Sequence, residues 1–395
     1  MTRIQQEIEG IDLATAAVGR RRVHRLSVST FFIMHGLCFS AWASRIPTVQ
    51  SMLGIGNGEL GMVLAALPVG FFVSLPFSGW MISKFGSRRA TIFSAVLYAL
   101  ALVSLAFCSS VQQITVCLFL FGFFANALNL SMNTQAVEVE RLYNKRLMST
   151  FHGLWSLAGF AGAAIGAWSM ANSVSLIVHF SSIATIFMLA IIFCAPRLVK
   201  SEVKKEGKRP FFALPEKYML IFGAIAFCSA MIEGAMFDWS GVYFKDTVKV
   251  ASALTGLGYT MFMVAMATGR FCADSLTERF SLRKVLLTCG VLVTGGLLMS
   301  VANPALIPSA IGFVMIGLGV SSVVPLVYST AGRSKTMEAG AALTAVSSLG
   351  FLGFLVGPPI IGFVAGLSSL RGSFTMLIVT STAIAVLASF IKNDE

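Results

Sequence analysis

Twelve long apolar runs dominate this sequence and leave it few ways to fold. They cover residues 26–47, 59–83, 90–109, 112–135, 148–171, 174–195, 217–244, 252–275, 285–302, 306–330, 340–366 and 370–391. A hydrocarbon core ~30 Å thick is crossed by about 20 residues rising 1.5 Å each, so each run predicts one membrane-spanning helix. A β-barrel is excluded, because the runs are continuous rather than alternating. Only 12% of the chain is charged, against about 25% in soluble domains. The first 25 residues are polar, and the first run exceeds the ~7–15-residue core of a signal peptide, so no cleavable leader is expected.

The net charge of +12 invites a nucleic-acid reading, which the placement of the basic residues removes. Of 29 Lys and Arg, 24 fall in the N-terminal tail, the even-numbered connections and the C-terminal end. Lys245, Lys249 and Arg371 fall at odd-numbered connections, and Arg45 and Arg270 inside spans. That asymmetry is the positive-inside pattern and predicts both termini in the cytoplasm. No nucleic-acid partner is expected; membrane lipid is. All seven cysteines lie in apolar runs without metal-like spacing and are read as packing residues.

The longest polar stretch after the tail, 197–216, has six runs on either side. The two sides share short matches in register. "SAWASR" (40–45) aligns with "FDWSGV" (237–242), and "GELG" (58–61) with "TGLG" (255–258), both at an offset of 197. "SKFGSRR" (83–89) aligns with "ERFSLRK" (278–284) at 195. Three matches in one order indicate a duplicated six-helix unit. The predicted organisation is a cytoplasmic tail (1–25), an N-terminal bundle (26–196), a cytoplasmic linker (197–216) and a C-terminal bundle (217–395).

Two six-span halves with a basic loop after the second and eighth spans resemble the major facilitator superfamily. The family's loop signature, Gly-x-x-x-Asp-Arg-x-Gly-x-Arg-Arg/Lys, is met by Gly79, Ser83, Lys84, Gly86, Arg88 and Arg89. The second copy gives Asp274, Glu278, Arg279, Arg283 and Lys284, so the usual acid is replaced by Ser83 in the first copy and is Glu278 in the second. "SAWASR", "EGAMFDW", "HGLWSLAG" and "FLVGPPIIG" are similar to a bacterial inner-membrane group, the YbjJ-like proteins, often likened to fucose permeases. The resemblance implies an all-α membrane protein of two pseudo-symmetric bundles in a bacterial inner membrane. It also implies a solute site at mid-membrane between the halves, lined by spans 1, 4, 7 and 10. Arg88, Arg89, Asp274, Glu278 and Arg279 either latch the cytoplasmic side shut by carboxylate–arginine contacts or only fix topology.

Polar residues inside the spans point independently to the same four helices. Span 1 carries His35, Trp42 and Arg45 on one broad face; span 4 carries Asn126, Asn129 and Asn133; span 7 carries Glu233 and Asp238; span 10 carries Tyr328 near Pro325. A charge at the bilayer centre costs at least ~2.5–3.5 kcal/mol, so Glu233, the deeper acid, is the candidate proton site or solute-binding group. Its alternative is a hydrogen-bonded contact between helices. Asp238 is expected near the periplasmic end, as a second proton-coupling candidate or as a gate partner of Arg45; ordinary snorkelling is the alternative for that pair. Arg270 lies one turn from Asp274, and a local ion pair is expected there, with substrate binding as the alternative. His35, Trp42, Asn126, Asn129, Asn133, Trp239 and Tyr328 are the candidate cavity residues, with interfacial anchoring as the alternative for the tryptophans.

No phosphate-binding loop, metal-ligand set or nucleophile beside a base is present, so neither enzymatic activity, nor a cofactor, nor a metal site is expected. The expected function is proton-coupled symport of a small, sugar-like solute by a monomer. Export of amphipathic compounds and a transport-inactive receptor are the alternatives.

Overall fold

The computed structural model describes residues 3–143, 147–200, 217–331 and 339–391, with side chains from 21 onward except 149, 217–218, 271–279, 339–341 and 343–344. Residues 201–216 of the expected linker lie outside the described residues. The first half contains α1 (Arg3–Leu53), α2 (Asn57–Leu105), α3 (Val111–Tyr143), α4 (Met148–Ala171) and α5 (Leu176–Cys194). The second contains α6 (Lys217–Asp246), α7 (Leu257–Arg279), α8 (Leu282–Ala302), α9 (Leu306–Ser321), α10 (Val323–Ala331), α11 (Ala339–Leu367) and α12 (Leu370–Ser389). Every predicted run lies on helix, with ends shifted by a few residues. Among the described residues, ten helical stretches are long and apolar enough to cross a membrane.

Two local departures from one helix per run have physical causes. α2 holds both the 59–83 and 90–109 runs, and its only non-helical backbone is Gly86, at φ +80°. That angle disfavours a residue with a Cβ and suits glycine, so the glycine of the loop signature makes the corner between the two runs. α9 and α10 together carry the 306–330 run, broken at Ser322. Pro325 has no N–H to offer Ser321, the carbonyl one turn back.

The outward faces are apolar. Met62, Ile192, Ile307, Leu367 and Val379 are between 65% and 74% exposed. In water such faces would drive aggregation, whereas hydrocarbon accepts them. Inside, backbones approach closely at glycines. A Cβ on Gly122 (α3) would meet the Leu67 carbonyl oxygen of α2, and one on Gly317 (α9) would meet the Phe262 carbonyl oxygen of α7. Both residues of the second contact lie 195 positions after those of the first, the offset found in the sequence.

α1–α5 pack mainly on one another, as do α6–α12, and the two groups meet chiefly through α2–α11, α4–α7 and α1–α6. Two faces can be told apart. On the near face, His24 Nδ1 lies 2.6 Å from the Arg197 carbonyl oxygen, and Arg88 Nε donates to the Ala195 oxygen at 3.2 Å. On the far face lie Gly58, Val174, Thr255 and Gly366. There the bundles touch: a Cβ on Gly61 would strike Gly362, one on Gly241 would strike Pro47, and one on Gly256 would strike Met170 and Ala167. Among the described residues, the cross-bundle hydrogen bond deepest toward the near face is the one between Arg270 and Ser156.

Candidate functional site

A cavity of about 430 Å³ lies between the bundles. α2 contributes Phe71, Phe72 and Leu75; α3 contributes Asn126 and Asn129; α6 contributes Ala230 and Glu233. α10 adds Val324 and Tyr328, and α11 adds a stretch from Ser347 to Phe354. Polar groups therefore come from the helices of spans 4, 7 and 10 and from Ser347 and Ser348 of span 11, while the helices of spans 2 and 11 supply aromatic walls. Phe71 stacks on Phe354 across the bundles at 6.4 Å, and Phe72 on Phe351 at 6.1 Å.

Glu233 is held by a partner from the next helix. Its Oε1 accepts from Arg270 Nη2 at 3.0 Å, with the carboxylate side chain 14% and the guanidinium side chain 23% exposed. Arg270 Nη1 donates to Ser156 Oγ of α4 at 2.8 Å, which carries the link into the other bundle. The guanidinium also stands 6.0 Å from the Trp155 ring centre, a favourable cation–ring arrangement. Trp155 Nε1 donates to His35 Nδ1 at 2.7 Å, and His35 Nε2 lies 3.1 Å from the Ala125 carbonyl oxygen. Nδ1 must accept from the indole, so the ring proton sits on Nε2 and donates to Ala125. A continuous polar chain thus runs from Glu233 on α6 through α7 and α4 to α1 and α3.

The two terminal nitrogens of Arg270 serve Glu233 and Ser156, beyond its own helix; the expected contact with Asp274 lies outside the described side chains. The side chains of Asp274, Glu278 and Arg279 lie outside the described residues.

Other expected site residues divide by position. Asn126 and Asn129 face the cavity. Asn126 Nδ2 donates to the Phe71 oxygen at 2.9 Å and to Ser74 Oγ at 2.8 Å. Asn133 donates to Asn129 O and Oδ1 and is not part of the cavity wall. Tyr328 lines it, and a Cβ on Gly350 would come within 2.8 Å of the phenol oxygen. Trp42 and Trp239 are fully buried, so neither presents a face to a solute in this conformation. Trp239 Nε1 instead donates to the Pro358 oxygen at 3.2 Å, joining α6 to α11.

The Arg45–Asp238 pair is not formed. Arg45 Nη2 donates to the Val174 carbonyl at 2.8 Å, and no ion pair joins the two residues among the described side chains. Asp238 is buried against the bundle interface near Tyr259, whose phenol meets Ser40 Oγ of the other bundle at 3.0 Å. Arg88 reaches the Ala195 oxygen within its own bundle, and Arg89 is exposed. Nearby, Gln135 ties Ser87 to the Val199 backbone.

Sequence reasoning missed Ser156 and the pairing of Arg270 with Glu233, together with the phenylalanine walls. The available signal was the opposite charge of Glu233 and Arg270, two intramembrane ionisable groups in one half.

A polar, charge-bearing cavity between two related helical bundles, inside an apolar exterior, defines a membrane carrier. The chain belongs to the Major Facilitator Superfamily, whose sequence profile matches residues 27–251 and 221–395. It is 30% identical over 370 residues to an uncharacterized MFS-type transporter of Yersinia pestis, covering 91% of this chain and 94% of that one. It is 30% identical over 366 residues to an uncharacterized transporter of Sinorhizobium fredii, covering 92% and 97%. The membrane protein MosC of Rhizobium meliloti is 28% identical over 364 residues, covering 92% and 89%. In fold, the chain resembles the crystal structure of a mutant of the nucleoside transporter NupG, with a TM-score of 0.73 at 12% identity, covering 92% and 98%.

Proposed function

We propose that this secondary transporter carries a small hydroxylated solute, of the size of a sugar, together with a proton across a bacterial inner membrane. In this reading the monomer crosses the membrane twelve times with both termini in the cytoplasm. The near face is then cytoplasmic, and the bundles touching at the far face give an inward-facing state. The positive-inside pattern and the corner at Gly86, which divides the 49-residue α2, support that topology.

The observation that carries the proposal is the Glu233–Arg270 pair at the cavity wall, with Arg270 also holding Ser156 of the opposite bundle. A proton on Glu233 removes the charge that holds Arg270. The guanidinium is then free to redistribute its hydrogen bonds between solute and Ser156, which couples protonation to contact between the halves. Asn126, Tyr328 and the serines at 347–348 suit hydroxyl groups, and the phenylalanines suit the apolar face of a ring. The same four phenylalanines favour export of amphipathic compounds as a second reading.

Counterflow and uptake in proteoliposomes test both. Under an acid-outside gradient, a panel of sugars should contain one that accumulates, and Glu233→Gln should keep its counterflow while losing accumulation. Full accumulation by the variant refutes the proton role. Movement in the opposite direction under the same gradient marks an exporter, and binding without flux marks a receptor.

A further inference from the structure

A second cavity, of about 560 Å³, opens between the bundles on the far face, away from Glu233. Its wall includes two basic side chains, Arg45 and Lys245, and no Asp or Glu. Arg45 is 3% exposed, and only its Nη2 is used, on the Val174 oxygen; Nε and Nη1 have no hydrogen-bond partner. Guanidinium groups keep their charge in proteins, and a buried charge without a counter-charge is costly. His179, close enough to Arg45 to interact electrostatically, adds two more buried nitrogens without partners. Buried polar atoms are satisfied in nearly all native proteins, so two unpaired donors on a cation of the cavity wall, with His179 unpaired near it, mark a place built for something else.

We propose that this cavity binds a small organic monocarboxylate, with Arg45 as its buried cationic contact and Lys245 as its outer one. Arg45 has no carboxylate partner among the described residues, whereas Lys245 is already engaged by Gln50 Oε1 at 3.3 Å and by Asp246 Oδ1 at 3.9 Å. That leaves charge for a single negative group rather than for a dianion. The rest of the wall mixes hydroxyls (Ser51, Ser175, Thr255) with apolar side chains (Met170, Ile177, Val250), which suits an organic body more than a strongly hydrated inorganic ion. A cavity of this volume lies within the ~300–1,000 Å³ range of small-molecule sites.

The contacts belong to both bundles: Arg45, Ser51 and Ser175 to the first, Lys245 and Thr255 to the second. A ligand held by both stabilises the conformation in which the bundles meet at this face, because it has no comparable pair of contacts once they separate. The cavity thus acts as a carboxylate-sensitive clamp on the far face. It requires nothing of the Glu233 site, and it stands or falls apart from the transported solute.

Titrating acetate and butyrate into the purified full chain at constant ionic strength tests this, with thermal stability and backbone hydrogen exchange as readouts. Saturable stabilisation is expected, with slower exchange at 172–176 and 247–256. Arg45→Gln should weaken the apparent affinity at least tenfold, and Lys245→Gln about threefold. Absence of saturation, equal affinity in the Arg45 variant, or equal stabilisation by chloride or phosphate would overturn the proposal. If Arg45→Gln does not fold, Lys245→Gln decides: Lys245 is partly exposed, and unaltered carboxylate affinity in its variant refutes the clamp.

Discussion

Replacing Glu233 and Arg270 singly and together measures the contact on which the central site depends. At 3.0 Å and an effective dielectric constant of ~20, the Coulomb attraction between unit charges is about 5 kcal/mol. Two features lower what a thermodynamic cycle should report. The pair borders a cavity, with side chains 14% and 23% exposed, and Arg270 keeps Ser156 and the Trp155 face when Glu233 is lost. A coupling energy of about 2–3 kcal/mol is therefore expected, at the upper end of what contacting residues show. That equals roughly a 30- to 150-fold change in an unfolding equilibrium. The cycle uses Glu233→Gln and Arg270→Met, which preserve most of each side chain's volume. The assay is reversible unfolding in mixed micelles, followed by tryptophan fluorescence. Each single variant should destabilise, and the double variant should lose clearly less than the sum of the two. Strict additivity would mean that the two charges do not sense one another, and the coupling mechanism would then lack its physical basis.

Three further outcomes follow from the packing. Gly86→Ala forces a Cβ into φ +80° and should cost about 1–2 kcal/mol; Gly79→Ala, with open space around its Cβ position, should be neutral in the same thermal melt. Gly122→Ala and Gly317→Ala each push a methyl into a neighbouring helix's carbonyl and should both lower stability, by about 1–3 kcal/mol; tolerance at one alone would break the structural equivalence of the halves. Glu140 Oε1 accepts from the backbone N–H of Leu147 at 2.6 Å and of Met148 at 2.8 Å, so Glu140→Ala should cost α4 about 1 kcal/mol, with faster hydrogen exchange confined to its first turn.

How much of this was legible in the sequence depended on the range of the interaction. The runs were, because membrane thickness imposes a length that composition alone can meet. The halves were too: the offset of 195 read from "SKFGSRR" and "ERFSLRK" also relates the Leu67–Gly122 and Phe262–Gly317 crossings. Glu233 stood out because its cost in hydrocarbon is intrinsic to one residue. Its partner did not stand out. Arg270 has an acid one turn away, and sequence spacing ranks that neighbour above a carboxylate 37 residues back. Trp42 and Trp239 show the same limit from the other side, since an aromatic on a cavity helix reads alike whether it faces the opening or the core.

The failed Arg45–Asp238 pairing carries the argument furthest. Sequence placed both charges near one face, on helices related by the duplication, and attraction between them was the economical expectation. Instead Asp238 is buried near Tyr259, and Arg45 turns to the Val174 carbonyl with two donors unused. Two donors left unused on the buried Arg45 at a closed seam are not at a minimum for the chain alone. Either each is completed by something the chain does not supply, as the far-face cavity implies for Arg45, or the seam is a state the molecule leaves easily. In either case the closed far face of the unliganded chain is weaker than its glycine packing makes it look. A carrier needs that property, because a face sealed by a fully satisfied ion pair would resist the opening that alternating access demands.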